Sequence, residues 1–327
     1  MTQTIRWGIL GPGAIARKFA ASLRDTDGAV VAAVGSRSLE RAAEFAAEYD
    51  IPRSHASYEA LAADADLDAV YVATPHAFHK AHTILCLRHD KHVLCEKPLA
   101  INAGEAAEMI QAARERKRVL MEAMLTRFLP SMAKVRELVA GGAVGEVRMI
   151  TAGFGFRADI ESRSRLFDPA LGGGALLDVG VYPLSFAHMI LGAPDRIHAM
   201  ARLGGTGVDE ESAALLGYGG GRLAMLTAAI RLNIPREAFV LGTAGRIRIP
   251  SPWWRSSEII VKRTGGEEMI MKLPINGTVY TPETEAFMNL IRTGELESDV
   301  LPLDESLSIM QTMDAIRAQW GMKYPME

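Results

Sequence analysis

The stretch Thr4-Ile-Arg-Trp-Gly-Ile-Leu10-Gly11-Pro-Gly13-Ala-Ile-Ala16 decides the fold. Its first seven residues read as an apolar strand. The remainder reads as a turn that opens a helix, with Gly11, Gly13 and Ala16 in the spacing of a dinucleotide-binding fingerprint whose third position is Ala. Gly11 allows the tight turn, and Gly13 lets the backbone approach a pyrophosphate. The unpaired N–H groups of Ala14, Ile15 and Ala16 then face an anion at the helix N-terminus. A Gly-rich turn is weak evidence by itself; its place after the first strand of an alternating pattern gives it weight.

That alternation continues outward. Thr4–Leu10, Val30–Gly35, Ala69–Ala73, His92–Cys95 and Val119–Met124 read as strands. Between them Ala14–Arg24, Leu39–Tyr49, Ala77–Arg88 and Ala103–Arg116 repeat apolar residues at helical spacing. Strands that are apolar along their length belong to a parallel sheet covered on both faces. The first domain is therefore read as residues 1–124, of α/β class. The second, 125–327, begins with a helix over Pro130–Ala140. Its runs Val147–Phe156, Ile197–Leu203, Ser212–Tyr218, Leu223–Ile230, Phe239–Ile249 and Glu258–Lys262 alternate around Gly-rich turns, the pattern of an antiparallel sheet open on one face. Helices are expected over Ala175–Leu191, Glu283–Arg292 and Leu303–Trp320.

Composition supports a globular reading. The 327 residues suit two domains, and 49% apolar with 23% charged suits a substantial core. With 36 basic and 39 acidic residues the net charge is −3, which points to neither nucleic acid nor an anionic membrane. No uninterrupted apolar run approaches the roughly 18 residues that span a bilayer, and the first residues lack a cationic leader. Cys86 and Cys95 cannot build a disulfide framework and read as free buried thiols of a reducing, cytoplasmic compartment.

The end of the second strand selects the cofactor. An NAD enzyme would carry an acid there for the ribose 2′-OH. Here Val34-Gly35-Ser36-Arg37-Ser38 has none until Glu40. Ser36, Arg37 and Arg41 suit a 2′-phosphate, so NADP is favoured over NAD; the alternative makes both arginines solvated helix-start residues. Ala73-Thr74-Pro75-His76, His79 and Cys95-Glu96-Lys97-Pro98 lie at strand ends that face a ligand crevice in open α/β sheets. Thr74, Pro75, His76, His79, Glu96 and Lys97 are therefore expected to contact the cofactor. No metal is assigned, since neither Cys nor a carboxylate completes the run His76, His79, His82.

The most informative stretch is Gly172-Gly-Gly-Ala-Leu-Leu-Asp178-Val-Gly-Val-Tyr182-Pro183. Three glycines before a helix allow backbone to approach a ligand, and Asp178 and Tyr182, four apart, share a helix face. A carboxylate beside a phenol suits recognition and protonation of a hydroxyl-bearing substrate. The alternative is a helix packed on the sheet with Tyr182 as a core aromatic.

Gly11–Ala16, Glu96-Lys97-Pro98 and Gly172–Tyr182, in this order and spacing, resemble the glucose–fructose oxidoreductase and inositol dehydrogenase family. Met121-Glu-Ala-Met124, Arg127-Phe128 and Glu305-Ser306…Asp314-Ala-Ile-Arg317 look most similar to its dimeric dihydrodiol dehydrogenase branch. The resemblance implies a Rossmann domain, then a domain whose open-faced, mainly antiparallel sheet often mediates dimerisation. It also implies NADP-linked oxidation of a sugar or cyclic diol. The open face of the second domain's sheet, with runs such as Leu223–Ile230 and Phe239–Leu241, would leave an apolar patch exposed in a monomer, so a homodimer or dimer of dimers is expected. Inositol dehydrogenase relatives carry His where this chain has Tyr182, which favours the dihydrodiol branch.

Oxidation removes a hydride from carbon and a proton from the hydroxyl oxygen. Tyr182 is the acid/base candidate, its phenol lowered from a reference pKa near 10 by an adjacent ammonium. Lys97 supplies that ammonium and polarises the substrate oxygen; if Lys97 carries the proton, Tyr182 orients the substrate instead. Asp178 is expected to bind a neighbouring hydroxyl. Arg127 and Arg165 are either substrate contacts or structural, and Trp253-Trp254 is expected to pack under the sheet or at a subunit contact. The alternative functions are a sugar oxidoreductase or dicarbonyl-sugar reductase with tightly held NADP, and a non-catalytic NADP(H) sensor.

Overall fold

A computed structural model of the chain describes residues 3–159 and 165–327. The chain divides into two compact units, Met1–Leu125 with Asn276–Leu307, and Thr126–Ile275 with Ser308–Glu327. In the first unit β1 (Ile5–Leu10), β2 (Ala29–Gly35), β3 (Arg53–His55), β4 (Ala69–Val72), β5 (His92–Glu96) and β6 (Leu120–Ala123) form a sheet of order β3-β2-β1-β4-β5-β6. Every pairing in it is parallel. All of β4 and β6 is buried, as is β1 apart from Arg6, which explains their unbroken apolar sequence. Helices Ala14–Arg24 and Leu39–Glu48 bury Ala16, Ala20, Ala42 and Phe45 against Ile9 and Val34. Both cysteines are free and buried.

Two elements here carry no apolar pattern to read. The edge strand β3 is Arg-Ser-His, and the short helix Tyr58–Ala62 is announced only by its Ser57 cap. A further difference concerns the division 1–124 and 125–327. Residues 276–307 return to the first unit because helix Thr281–Thr293 places Phe287 against Trp7, 5.1 Å between ring centroids, with Phe19 on Trp7's other contact at 5.4 Å. Trp7 is fully buried by this arrangement.

The second unit holds β7 (Val147–Gly155), β8 (Arg196–Leu203), β9 (Asp209–Tyr218), β10 (Arg222–Ala229), β11 (Ala238–Gly242), β12 (Gly245–Ile249), β13 (Glu258–Arg263) and β14 (Glu268–Lys272). Their order is β14-β13-β12-β11-β7-β10-β9-β8. Only the β7–β10 pair is parallel among the described pairings, so the sheet is mixed and mainly antiparallel. The run Phe239–Ile249 is two strands joined at Thr243-Ala244, and β14 extends the sheet beyond the last expected strand. One face is covered by the helical stretch Pro169–Leu191, which by length and composition could cross a membrane; 83% of its most apolar window is buried inside the unit. The other face presents Met200, Leu215 and Met225, which are 81%, 44% and 53% exposed.

In the first unit one carboxylate joins three segments. Glu122 on β6 is 2% exposed, accepts the Leu99 N–H at 3.1 Å through Oε1, and accepts the Ser306 hydroxyl at 2.7 Å through Oε2. Glu122→Ala leaves both donors buried without this acceptor, so it is expected to lower the unfolding free energy by about 2–4 kcal/mol. Urea unfolding of the parent and the variant measures this. A loss below about 0.5 kcal/mol, the usual effect of a surface substitution, would show that the bridge contributes nothing.

Candidate active site

At the carboxyl end of β1, Gly11 has φ +96°, and a Cβ there would meet Thr74 Cγ2 at 3.1 Å and the Ala73 carbonyl oxygen at 3.3 Å. Its N–H donates to the Gly35 carbonyl at 3.1 Å, which draws the turn onto β2. A Cβ on Gly13 would meet only the Ala73 carbonyl oxygen, at 4.0 Å, so its backbone stands beside open space. Helix Ala14–Arg24 begins there with no side-chain cap and no acidic residue in its first turn. Its leading N–H groups, from Ala14, Ile15 and Ala16, are donors without intrahelical acceptors. A shallow glycine cradle with uncapped donors fits the pyrophosphate of a nicotinamide dinucleotide.

Beyond β2, Ser36 is buried and its hydroxyl accepts the Ser38 N–H at 3.2 Å, while Ser38 caps helix Leu39–Glu48 by accepting from the Arg41 N–H at 3.3 Å. Arg37 and Arg41 are exposed. The Arg37 guanidinium bonds the Tyr58 phenol, which burial nonetheless holds above its ordinary pKa. His82 lies against the Tyr58 ring at 4.6 Å and pairs its Nδ1 with the Thr74 hydroxyl at 3.0 Å. Burial, helped by the Arg37 charge, lowers His82 to about 4, so it is neutral near pH 7. Positive charge at this end therefore comes from arginine. Tyr58 and His82 had no assigned role in the sequence; the signal for Tyr58, a Ser57-capped turn, says nothing of its approach to Arg37.

The histidines next to Thr74-Pro75 are internal. His76 is 4% exposed, and His79, fully buried, reaches the Pro98 carbonyl with Nδ1 and the Thr74 carbonyl with Nε2, both at 2.9 Å. His79 thus ties together the two strand-end segments on which cofactor contacts were expected. At the end of β5, Glu96 accepts the buried Tyr71 hydroxyl and, through Oε2, the Lys97 N–H at 3.3 Å. Burial raises the carboxyl of Glu283 well above the usual range, with Glu96 adding to the effect. Lys97 is half-buried on this base.

In the second unit the Gly-rich stretch leads into a π-turn, Leu176–Gly180, and then helix Val181–Leu191. Asp178 sits in the π-turn, 6% exposed, and its Oδ1 accepts from Arg165 Nη2 at 2.8 Å. Tyr182, half-buried, lies with its ring 5.2 Å from Phe154 on β7. Phe154 stacks on Trp254 at 3.6 Å and 12°. Trp253 is fully buried and donates Nε1–H to the Gly153 carbonyl at 2.8 Å. Trp254 continues an aromatic series that ends at Tyr182, a link for which the sequence offered no periodic signal. Arg127 is 3% exposed and donates from Nη1 to the Ser185 carbonyl at 2.9 Å, so it braces helix Val181–Leu191.

The glycines differ from their expected role. A Cβ on Gly173 would stand 2.6 Å from the Leu166 carbonyl oxygen and 2.7 Å from that of Arg165, and one on Gly174 would stand 2.2 Å from Asp209 Oδ1. Their missing side chains make room for the protein's own oxygens.

The stretch Leu176–Leu191 therefore carries a carboxylate bound by an arginine and, four residues on, a phenol beside aromatic rings. Residues 5–124 match the description "Oxidoreductase family, NAD-binding Rossmann fold", and residues 132–248 match the "GFO/IDH/MocA C-terminal domain". The trans-1,2-dihydrobenzene-1,2-diol dehydrogenase of Mus musculus is 38% identical over 99% of both chains. A solved 3-ketoreductase from Actinomadura kijaniata, in complex with NADP and TDP-benzene, has a TM-score of 0.87 at 28% identity, covering 97% of this chain and 98% of its own. An aldose–aldose oxidoreductase from Caulobacter crescentus, complexed with glycerol, has a TM-score of 0.88 at 25% identity, covering 98% of each. With likeness to named oxidoreductases running through both of its units, the chain belongs to the Gfo/Idh/MocA family of oxidoreductases.

Proposed function

We propose that this oxidoreductase is an NADP-dependent dehydrogenase of a cyclic trans-diol or sugar, acting as a cytoplasmic homodimer or dimer of dimers. The observation that supports the substrate class is the helical segment Leu176–Leu191, which carries Asp178 and Tyr182, with Tyr182 beside the stacked rings of Phe154 and Trp254. A carboxylate accepts from one hydroxyl while flat apolar rings cover the carbon skeleton. The full-length likeness to trans-dihydrodiol dehydrogenases supports a diol.

NADP, when bound, supplies the hydride acceptor. In the oxidative direction Tyr182, as phenolate, takes the proton of the reacting hydroxyl, and Lys97 favours that phenolate by its charge and holds the substrate oxygen. Asp178, oriented by Arg165, accepts from the neighbouring hydroxyl. That contact selects vicinal diols over simple alcohols. Solved variants of the Actinomadura kijaniata ketoreductase replace one lysine or one tyrosine, which is consistent with a lysine–tyrosine chemistry.

The cofactor choice rests on Arg37, with no acid at the end of β2 to repel a 2′-phosphate. Arg37→Ala is expected to weaken NADP by about 1.5–3 kcal/mol while sparing NAD. Fluorescence titration with both cofactors checks this, and equal parental affinity for the two would remove the assignment.

Tyr182→Phe keeps the ring beside Phe154 but removes the transferable proton. Its kcat is expected to fall about 10²–10⁴-fold with NADPH affinity little changed. Lys97→Ala is expected to do at least equal damage, and the double variant to be far from additive. Near-parental kcat for Tyr182→Phe would move proton transfer to Lys97.

Assembly rests on the uncovered sheet face. Met225 pairs opposite Leu215 and Leu223 opposite Met149, with Met200, Phe239 and Leu241 continuing the same face across five strands. An apolar surface of this kind is what a second copy covers. Light scattering is expected to show a stable dimer or tetramer, and Met225→Asp to shift it toward monomer. A parental monomer at micromolar concentration would overturn the assembly.

A further inference from the structure

Asp209, the first residue of β9, is fully buried and far in sequence from the residues assigned above. Its Oδ2 accepts the Leu176 N–H at 2.7 Å, at the first residue of the π-turn that carries Asp178. Its Oδ1 occupies the space that a side chain on Gly174 would need, and Gly174 has φ +116°, a conformation that favours glycine. Alongside, the buried Tyr324 hydroxyl donates to the Gly173 carbonyl at 2.7 Å. The Arg317 guanidinium lies 4.9 Å from the Tyr324 ring centroid and donates to both Glu327 carboxylate oxygens, at 2.7 and 2.8 Å, and to Asp314 at 2.7 Å. Within the four residues from Gly173 to Leu176 the backbone is thus held at Leu176 from β9 and at Gly173 from the segment after helix Leu303–Trp320, with Asp209 filling the space beside Gly174.

We propose that Asp209, backed by Tyr324, is a positioning residue that sets the entry of the helix bearing Asp178 and Tyr182 and so governs substrate orientation without touching cofactor or substrate. A helix entry held by one short charge-assisted bond and one phenol–carbonyl bond has its rotation fixed where the reacting side chains begin. A small displacement of a catalytic group is sufficient to cost one to two orders of magnitude in rate. The inference rests on the dehydrogenase reading for its kinetic arm only.

The groups facing the Asp209 carboxylate are the Leu176, Asp209 and Ala175 N–H groups, the Arg317 guanidinium and the Tyr324 phenol. Burial outweighs the three N–H groups and the arginine and pushes the carboxyl up to about 7. Two consequences follow with opposite signs. As pH rises through 7 the ionised carboxylate grips the Leu176 N–H more strongly, so kcat/KM rises. Because the folded-state pKa lies above the ordinary value, Asp209's contribution to stability is full at low pH and is lost as pH rises through 7.

Asp209→Asn separates the two. Its kcat/KM at pH 8 is expected to fall about 10–100-fold, with a flat profile where the parent steps near pH 7, and its NADPH dissociation constant to stay within about twofold. Over pH 6 to 8 its thermal midpoint should meanwhile gain on that of the parent, whereas a merely structural role would move activity and stability together. Tyr324→Phe, which keeps the Asp209 charge, is expected to slow turnover and retain the pH step. Parental turnover and a parental pH step in Asp209→Asn would overturn the proposal. If the parent oxidises no diol or sugar with NADP, the proposed function fails and the positioning role is read from amide hydrogen exchange. Faster exchange at Ala175–Val179 in Asp209→Asn supports it, and unchanged exchange there overturns it.

Discussion

The backbone that carries Lys97 depends on a buried carboxylate, Glu122. Glu122 grips the amide of Leu99, two residues beyond Lys97, and with its other oxygen holds Ser306, a residue nearly two hundred positions away in the chain. The segment after β5 contains no regular element for several residues, so its course depends on such side-chain contacts and not on a backbone ladder. His79 adds the Pro98 carbonyl and Glu96 the Lys97 amide. The backbone at Lys97, Pro98 and Leu99 thus has three polar anchors, one at each residue.

The second unit solves the same problem differently. There the side chains proposed to meet substrate stand on a π-turn and the helix that follows it, and what must be fixed is the helix's rotation and start. A π-turn at Leu176–Gly180 widens the backbone where Asp178 sits, and Arg165 reaches across thirteen residues to hold its carboxylate. Arg127 braces the following turns through Ser185. Buried polar groups are costly unless paired, and here each pairing immobilises a part of the site.

Much of the first unit was legible because its signals are local. A glycine turn between an apolar strand and a helix, and strands apolar on both faces, follow from backbone sterics and burial alone. The open sheet was legible for the same reason, since alternation reports one covered face. What escaped depends on tertiary neighbours. The strand Arg53–His55 has no apolar residue to betray it, and Phe287's return to Trp7 is invisible to any periodicity. The glycines of residues 172–174 were read by a rule about ligands when the oxygens crowding Gly173 and Gly174 belong to Leu166, Arg165 and Asp209. Asp178 and Tyr182 could be placed on one helix from spacing, but Arg165's grip and the Phe154–Trp254 stack could not.

The sulfur atoms of this chain are divided unequally between interior and surface. Cys86 and Cys95 are fully buried, and burial pushes the Cys86 thiol up to about 12 and Cys95 higher still, so neither offers a thiolate to peroxide. Among the described residues the exposed methionines are Met200, Met225 and Met269 on the sheet and Met326 near the end of the chain. Conversion to sulfoxide would set a strong dipole on an otherwise apolar sheet surface and leave the nucleotide end chemically untouched. In a single copy, oxidation at these sheet positions would change what the sheet adheres to, and it is of a kind that methionine sulfoxide reductases reverse.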